Sequence, residues 1–277
     1  MRPRVAIVLF LPLLLGGCGL FGGPAVKKTA APSATAQGLY QSGVAQMNAQ
    51  DYKQAINDFD QVEEDFPFSP WATNAQLMHG YAAYLQQDYT GAIDALERFI
   101  QLHPANPDIA YAYYLRALCY YEQISDILRD QQATREAIGA LQEVVNRFPG
   151  SAYANDARLK IDLCRDHLAG HEMVIGRYYE RQSDYIAAIG RYQTVIQDYQ
   201  TTNHVPEALE RLVECYLKLG MRTEAAHAGA VLGYNYPGSV WYRDAYARLH
   251  DAGIVAANTP QPTGNSGFFA GIWNGIF

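Results

Sequence analysis

Between about Gln37 and Leu249 the apolar residues recur at i, i+3, i+4 and i+7, the period of an amphipathic helix, and strand-like alternation is almost absent. A longer repeat is laid over that period. Asp51-Tyr52-Lys53-Gln54-Ala55-Ile56 returns as Asp88-Tyr89-Thr90-Gly91-Ala92-Ile93 and as Asp184-Tyr185-Ile186-Ala187-Ala188-Ile189. Weaker copies are Thr134-Arg135-Glu136-Ala137-Ile138 and Arg222-Thr223-Glu224-Ala225-Ala226. Twelve residues before the alanine of three copies stands a glycine, Gly43, Gly80 or Gly176. Twelve residues after the alanine of four copies stands a proline, Pro67, Pro104, Pro149 or Pro237.

The phasing has local physical causes. Glycine and alanine let two antiparallel helices approach closely, and Phe59, Leu96, Leu141 or Tyr192, four residues after the alanine, supplies bulk beside them. Tyr52, Tyr89 or Tyr185 fills the turn between helices, and proline ends the second helix. This Gly–Ala–Pro pattern resembles the tetratricopeptide repeat, which implies an all-α solenoid of about five helix pairs, each burying its apolar face against its neighbours. The alanines are 37, 45, 51 and 37 residues apart. The longer spacings predict an insertion around Gln123–Gln132 and an extended second helix through Ala154–Ala169.

The ends differ from this body. Arg2 and Arg4 precede an apolar run from Val5 to Leu15, which reads as a secretory signal too short to remain as a spanning helix. Leu15-Gly16-Gly17-Cys18 follows and resembles a lipobox, in which Cys18 is acylated and becomes the new N-terminus. An ordinary signal that happens to meet a cysteine is the alternative. Two or three acyl chains suffice for stable anchoring. By resemblance to lipoprotein sorting, Gly19 in place of Asp favours the outer membrane. The expected domains are a signal at 1–17, a lipidated tether at 18–36, the solenoid at 37–252 and a linker with an apolar tail at 253–277. The tether, with Gly22-Gly23-Pro24 and Ala31-Pro32-Ser33, could reach on the order of 50 Å when extended.

Loss of Arg2 and Arg4 leaves 19 of the 21 basic side chains against 28 acidic ones, a balance of −9 instead of −7. That disfavours nucleic acid, whose phosphates demand Lys and Arg. Cys119, Cys164 and Cys215 remain after Cys18. They form no Cys-x-x-Cys pair and read as buried small apolar residues, with one disulfide open as an alternative.

Stacked pairs present the first helix of each pair on one concave face. Those helices carry Tyr81 and Tyr84, then Tyr111, Tyr113, Tyr114, Tyr120 and Tyr121, then Tyr178 and Tyr179. Tyrosine combines apolar area with a hydroxyl and few torsions, which suits a peptide groove. About half are expected to be core. Tyr81, Tyr84, Tyr111, Tyr114 and Tyr178 are the candidate binding residues, with Arg98, Arg116 and Arg129 beside turns and inserts and Phe277 in the tail. Charge reversal at Arg98 or Arg116 is expected to weaken a partner contact more than folding.

Several turns carry a closer resemblance. Asp65-Phe66-Pro67-Phe68-Ser69-Pro70-Trp71 is similar to the turn after the first repeat of the BamD lipoproteins. Arg98-Phe99-Ile100-Gln101-Leu102-His103-Pro104-Ala105-Asn106-Pro107 and Tyr113-Tyr114-Leu115-Arg116-Ala117 resemble their following signatures. Asp126-Ile127-Leu128-Arg129-Asp130-Gln131 looks like the inserted loop of their third repeat, and Arg177-Tyr178-Tyr179-Glu180-Arg181-Gln182 like a motif in the fourth. The resemblance implies a non-catalytic, cofactor-free subunit of the outer-membrane β-barrel assembly machinery, on the periplasmic face of that membrane. It implies docking of a BamA-like barrel-forming subunit on the C-terminal repeats and of unfolded outer-membrane proteins on the N-terminal ones. Accessory lipoproteins are further implied partners.

Gln182 stands where that family has a glycine. Beyond Leu249 the chain passes a Pro- and Asn-containing linker and ends in the uncharged run Gly267 to Phe277. Phe268, Phe269, Trp273 and Phe277 suit docking to a partner or to the membrane interface, occupation of the protein's own groove, or no fixed contact. Catalytic motifs are absent: no Gly-rich phosphate loop, no Gly-x-Ser-x-Gly and no His-Glu-x-x-His. His167 and His171 share a helix face but lack a third ligand, so no metal site is expected. Two other readings compete, a repeat lipoprotein coordinating cell-wall synthesis with the outer membrane and a wall-cleaving enzyme, which would need a separate catalytic module.

Overall fold

The computed structural model describes residues 35–255, and among them every regular element is an α-helix. Five antiparallel pairs follow one another: α1 (Ala36–Asn48) with α2 (Tyr52–Asp65), α3 (Pro70–Leu85) with α4 (Tyr89–Leu102), and α5 (Ile109–Tyr121) with α6 (Gln132–Arg147). Next come α7 (Ala152–Arg181) with α8 (Tyr185–Asp198) and α9 (Val205–Lys218) with α10 (Arg222–Asn235). A single helix, α11 (Val240–Asp251), closes the series against α9 and α10. Cys18 and Phe277 lie outside the described residues.

The repeated motif builds the turn inside each pair. Asp51, Asp88 and Asp184 are the N-caps of α2, α4 and α8, each carboxylate accepting the backbone N–H three residues on, at 3.2, 3.0 and 3.2 Å. The residue before each cap, Gln50, Gln87 or Ser183, takes a left-handed φ of 61 to 65°. Gln182, where the family has glycine, sits at φ −83°, a backbone any residue adopts. Between pairs a second device recurs. Ser69, Ser151 and Ser239, each two residues after a proline, cap α3, α7 and α11 by accepting from Ala72, Ala154 and Tyr242 at 3.1 to 3.2 Å.

The phased glycines are contact points. A Cβ on Gly43 would lie 2.5 Å from the Phe59 ring, and one on Gly80 would lie 2.8 Å from Leu96. Gly176 meets Tyr192 in the same way. The fifth pair inverts the arrangement: Val213 holds the glycine position and Gly229 the bulky one, and Leu249 of α11 fills the space.

The length added after the third pair does not extend a second helix, as the spacing suggested. It extends α7, the first helix of the fourth pair, to 30 residues. No proline or left-handed residue interrupts Ala152–Arg181, so the helix runs on. Its two ends serve different cores. Ala157, Ile161 and Cys164 pack with α4, α5 and α6 around Leu96, Phe99 and Leu141. Ala169 and Met173 pack with α8 to α11 around Tyr192, Leu212 and Leu232. A third, smaller core holds Ala55, Phe59 and Val62 of α2 against α3.

The insertion between α5 and α6 is built onto the middle of α7. The side chain of Gln131, 2% exposed, donates to the carbonyls of Asp126, Ile127 and Arg129 at 2.9 to 3.4 Å and accepts from the Thr134 hydroxyl. Ile127 then lies over Gly170, and its carbonyl accepts from His171 Nδ1 at 2.5 Å.

Candidate peptide-binding face

First helices of successive pairs touch one another, α1 with α3, α3 with α5, and α5 with α7. Four of the tyrosines singled out in the sequence therefore come together. Tyr81 of α3 meets Tyr111 of α5 edge-on with ring centroids 6.4 Å apart, and Tyr111 meets Tyr153 of α7 at 5.7 Å. Tyr114 stacks on Tyr153 at 5.3 Å. Tyr84 packs on Tyr89 at 6.0 Å and points its hydroxyl to Glu122, 3.5 Å away. All are half-buried, so each offers part of its ring to solvent. Tyr153 was not singled out in advance. Its place two residues after the capping Ser151 matches Trp71 after Ser69 and Trp241 after Ser239, a signal present in the sequence.

Burial, assisted by Glu122, pushes the Tyr84 phenol up to about 12, and burial likewise raises Tyr111. Tyr114 is raised by burial and by the bond it donates to Asp156. These hydroxyls stay protonated, and those of Tyr84 and Tyr114 donate to Glu122 and Asp156. Of the nine tyrosines named in the sequence only Tyr113 is core, fewer than the half expected. Tyr113 is 9% exposed, with the Arg116 and Arg147 guanidiniums each 5.1 Å from its ring centre. Tyr178 lies elsewhere, more than half exposed near the end of α7 and edge-on to Tyr179.

The candidate arginines divide. Arg116 is turned inward, 14% exposed, bonded to Glu143 and 3.6 Å from Glu97. It ties α4, α5 and α6 together, so its charge holds the fold and does not wait for a partner. Arg98 is 53% exposed and only 4.0 Å from Glu63, a loose pair that leaves it available. Arg129 is exposed on the insertion held by Gln131.

Past the middle of α7 the first helices carry charge where the earlier ones carry phenols. Arg177 bonds to Glu207 at 2.7 Å. Arg211 lies 3.5 to 3.8 Å from Glu180, Glu207, Glu210 and Glu214. Arg248 of α11 reaches Glu210 and Glu214, both at 2.8 Å. Tyr192 donates to Glu180 at 2.6 Å. Burial raises the Glu210 carboxyl, while Arg248 and Arg211 oppose the rise. Sequence reasoning missed this ladder. Its signal was the spacing of Glu207, Glu210, Arg211 and Glu214, which puts four charges on one helix face.

Chemistry elsewhere is sparse. Cys119, Cys164 and Cys215 are buried free thiols, and burial pushes them up to about 12, 11 and 12. Ligand atoms of Asp60, Glu63 and His79 lie within 4.8 Å of one another, but the groups bond locally. His79 donates to Asp60 at 2.6 Å, and Glu63 accepts from Gln76 at 3.0 Å. No helix among the described residues is long and apolar enough to cross a membrane.

Residues 32–232 match the protein family described as YfiO, outer membrane lipoprotein. The chain is also similar to relatives named outer membrane protein assembly factor BamD. That of Caulobacter vibrioides is 50% identical over 226 residues, 82% of this chain and 74% of the relative. That of Rickettsia prowazekii is 45% identical over 246 residues, 87% and 94% of the two chains. That of Neisseria meningitidis serogroup A is 34% identical over 253 residues, 88% and 95%.

Proposed function

Because the chain belongs to the BamD family of outer-membrane lipoproteins, we propose that it assembles outer-membrane β-barrel proteins by binding and presenting them, without making or breaking a bond. The supporting observation is the row of mutually packed tyrosines on α3, α5 and α7. An unfolded barrel protein offers extended segments that alternate apolar and polar side chains. Phenol rings receive the apolar side chains, and a hydroxyl oxygen can accept a backbone N–H, so the face tolerates many sequences.

In this reading Tyr81, Tyr84, Tyr111 and Tyr114, joined by Tyr153, receive the substrate segment. The α7–α11 region docks the barrel-forming, BamA-like subunit, with Tyr178 at its exposed edge. Acyl chains on Cys18 hold the protein on the periplasmic face of the outer membrane, beside accessory lipoproteins. Affinity purification of the full chain from detergent-solubilised membranes tests this. Recovery of a large β-barrel protein is expected, and its loss on Cys18→Ala is expected to be partial. Recovery of cell-wall synthases without a barrel protein would contradict it.

A further inference from the structure

The chain leaves the described residues beside the fifth pair, through a repeat of the turn that joins α9 to α10. After α9 the N–H groups of Gly220 and Met221 donate to Leu217 and Tyr216 at 3.1 and 2.8 Å. After α11 those of Gly253 and Ile254 donate to His250 and Leu249 at 2.8 and 2.9 Å. Both glycines are left-handed, at φ 76 and 68°. Arg222, the first residue of α10, ties this last turn down by donating to the Ala252 carbonyl at 2.7 Å. The turn of a sixth pair is therefore built. The sequence that follows, with Pro260 and Pro262, does not supply the uninterrupted second helix of the earlier pairs. Tyr246 also stands seven residues before Gly253, where Gly43, Gly80 and Gly176 precede Gln50, Gln87 and Ser183. A ring at that point of closest approach keeps a second helix off α11. The outward positions of α11, Arg243, Ala247 and His250, make a mostly polar end to the series.

An apolar groove lies instead on the side of α10 that faces α8. These two second helices wall a cleft of about 290 Å³ whose floor is Leu209, Leu212 and Tyr216 of α9. Ile196 stands on one wall, and Ala228 and Val231 on the other. Val231 is 42% exposed and Tyr234, nearly one turn on, is 79% exposed, so an apolar strip continues past the cleft. Glu224 and His227 lie in the first half of α10, toward the turn. The gap between α4 and α6 differs, because Asp94 and Glu136 put a carboxylate on each of its walls.

The residues beyond Val255 match this groove in chemistry and reach. No charged side chain follows Asp251 in the sequence. Phe268, Phe269, Ile272, Trp273, Ile276 and Phe277 recur at i, i+1, i+4, i+5, i+8 and i+9, with only Gly, Ala and Asn between them. That is a helical period with all the bulk on one half of the helix. Gly267, Gly271 and Gly275 make such a helix too weak to form without a surface to lie on. A lipid surface fits poorly, since interfacial helices carry Lys and Arg on a polar face and this segment has none. The eleven residues 256–266 extend to roughly 36 Å, and α10 is roughly 21 Å long, so either end of the groove is within reach.

We propose that residues 267–277 seat as a helix in the groove between α8 and α10, their large side chains on Leu212, Ala228 and Val231 and the far end over Tyr234. The segment is held on the second-helix face of its own chain, apart from the tyrosine row.

Cysteine crosslinking of the full chain in detergent tests this seat, and the buried Cys119, Cys164 and Cys215 leave the background low. Val231→Cys paired with Ile272→Cys is expected to form a disulfide within one chain in most molecules under mild oxidation. Glu136→Cys, in the gap between α4 and α6, and Tyr111→Cys, on the row, should form little with Ile272→Cys. Val231→Glu, on a half-exposed position, should release the segment without loss of helix content. Limited proteolysis between residues 256 and 277 should then quicken severalfold, and Tyr234→Ser should quicken it less. A disulfide between two chains would give the groove to a second copy, and equal crosslinking at all three positions would mean no fixed seat. Either result overturns the proposal, as does proteolysis that Val231→Glu leaves unchanged or protection that appears only when phosphatidylethanolamine vesicles are added.

Discussion

From α3 to the front half of α7 the first helices present Tyr81, Tyr111, Tyr114 and Tyr153, which pack on one another by ring contacts. From the back half of α7 to α11 they present Arg177, Glu207, Arg211, Glu214 and Arg248, joined by ion pairs. The same architecture thus carries two surface chemistries. Phenols accept any apolar partner and ask little of its sequence. The ladder charges satisfy one another and so fix the register of α7, α9 and α11, since a buried charge left unpaired is costly. The proposed function has use for both, and the hinge of the division is one continuous helix with a different core at each end.

The division can be broken most severely from the charged side. Arg248→Ala leaves Glu210, 2% exposed, with Arg211 at 3.8 Å as its nearest remaining cation. It should destabilise the protein by about 2–4 kcal/mol in urea unfolding. Hydrogen exchange should place the loss in α9 to α11. An equal loss of protection in α1 to α4 would show that the two regions unfold as one.

The joint comes next. A Cβ on Gly170 would lie 2.5 Å from Ile127 Cδ1. Gly170→Val should therefore cost about 1–3 kcal/mol and lift the insertion from α7, read as faster exchange across residues 124–131. On the aromatic side, Tyr114→Phe removes the bond to Asp156 and should cost about 1 kcal/mol. Arg98→Ala, breaking only a 4.0 Å pair, should change stability by under about 0.5 kcal/mol. Arg116, bonded inside between α4 and α6, should behave oppositely and cost more in folding than in binding.

The smallest effect concerns pH. The bond from Tyr114, with help from Lys160, holds the Asp156 carboxyl below its ordinary 3.8. A depressed acid stabilises the fold above its unfolded value and loses that contribution as pH falls through the folded one. The urea midpoint should drop below pH 3.8, and Tyr114→Phe should flatten the drop. An unchanged slope in the variant would remove Asp156 from the account.

The repeat was legible because its signals are steric and local. Gly43, Gly80 and Gly176 sit where bulk would wedge helices apart, and Ala55, Ala92 and Ala188 are fully buried. The extension of α7 was misplaced because an unbroken helical period does not say which helix of a pair owns it. Arg116 was read as a partner-contact residue, since sequence shows the turn it flanks but not the carboxylates of α4 and α6 that converge on it. The ladder was overlooked for a related reason. The spacing within α9 was visible, but only the stacking of α7, α9 and α11 brings Arg177 to Glu207, Arg211 to Glu180 and Arg248 to Glu210.

The most direct test of the two-chemistry division is site-specific photocrosslinking in living cells, with a photoreactive phenylalanine placed at Tyr111 and, separately, at Tyr178. Position 111 is expected to capture many different unfolded outer-membrane proteins and little of the barrel-forming subunit. Position 178 is expected to capture that subunit almost alone. The same products at both positions, or the two sets exchanged, would contradict the assignment of substrate to the tyrosine row and companion to the charged one.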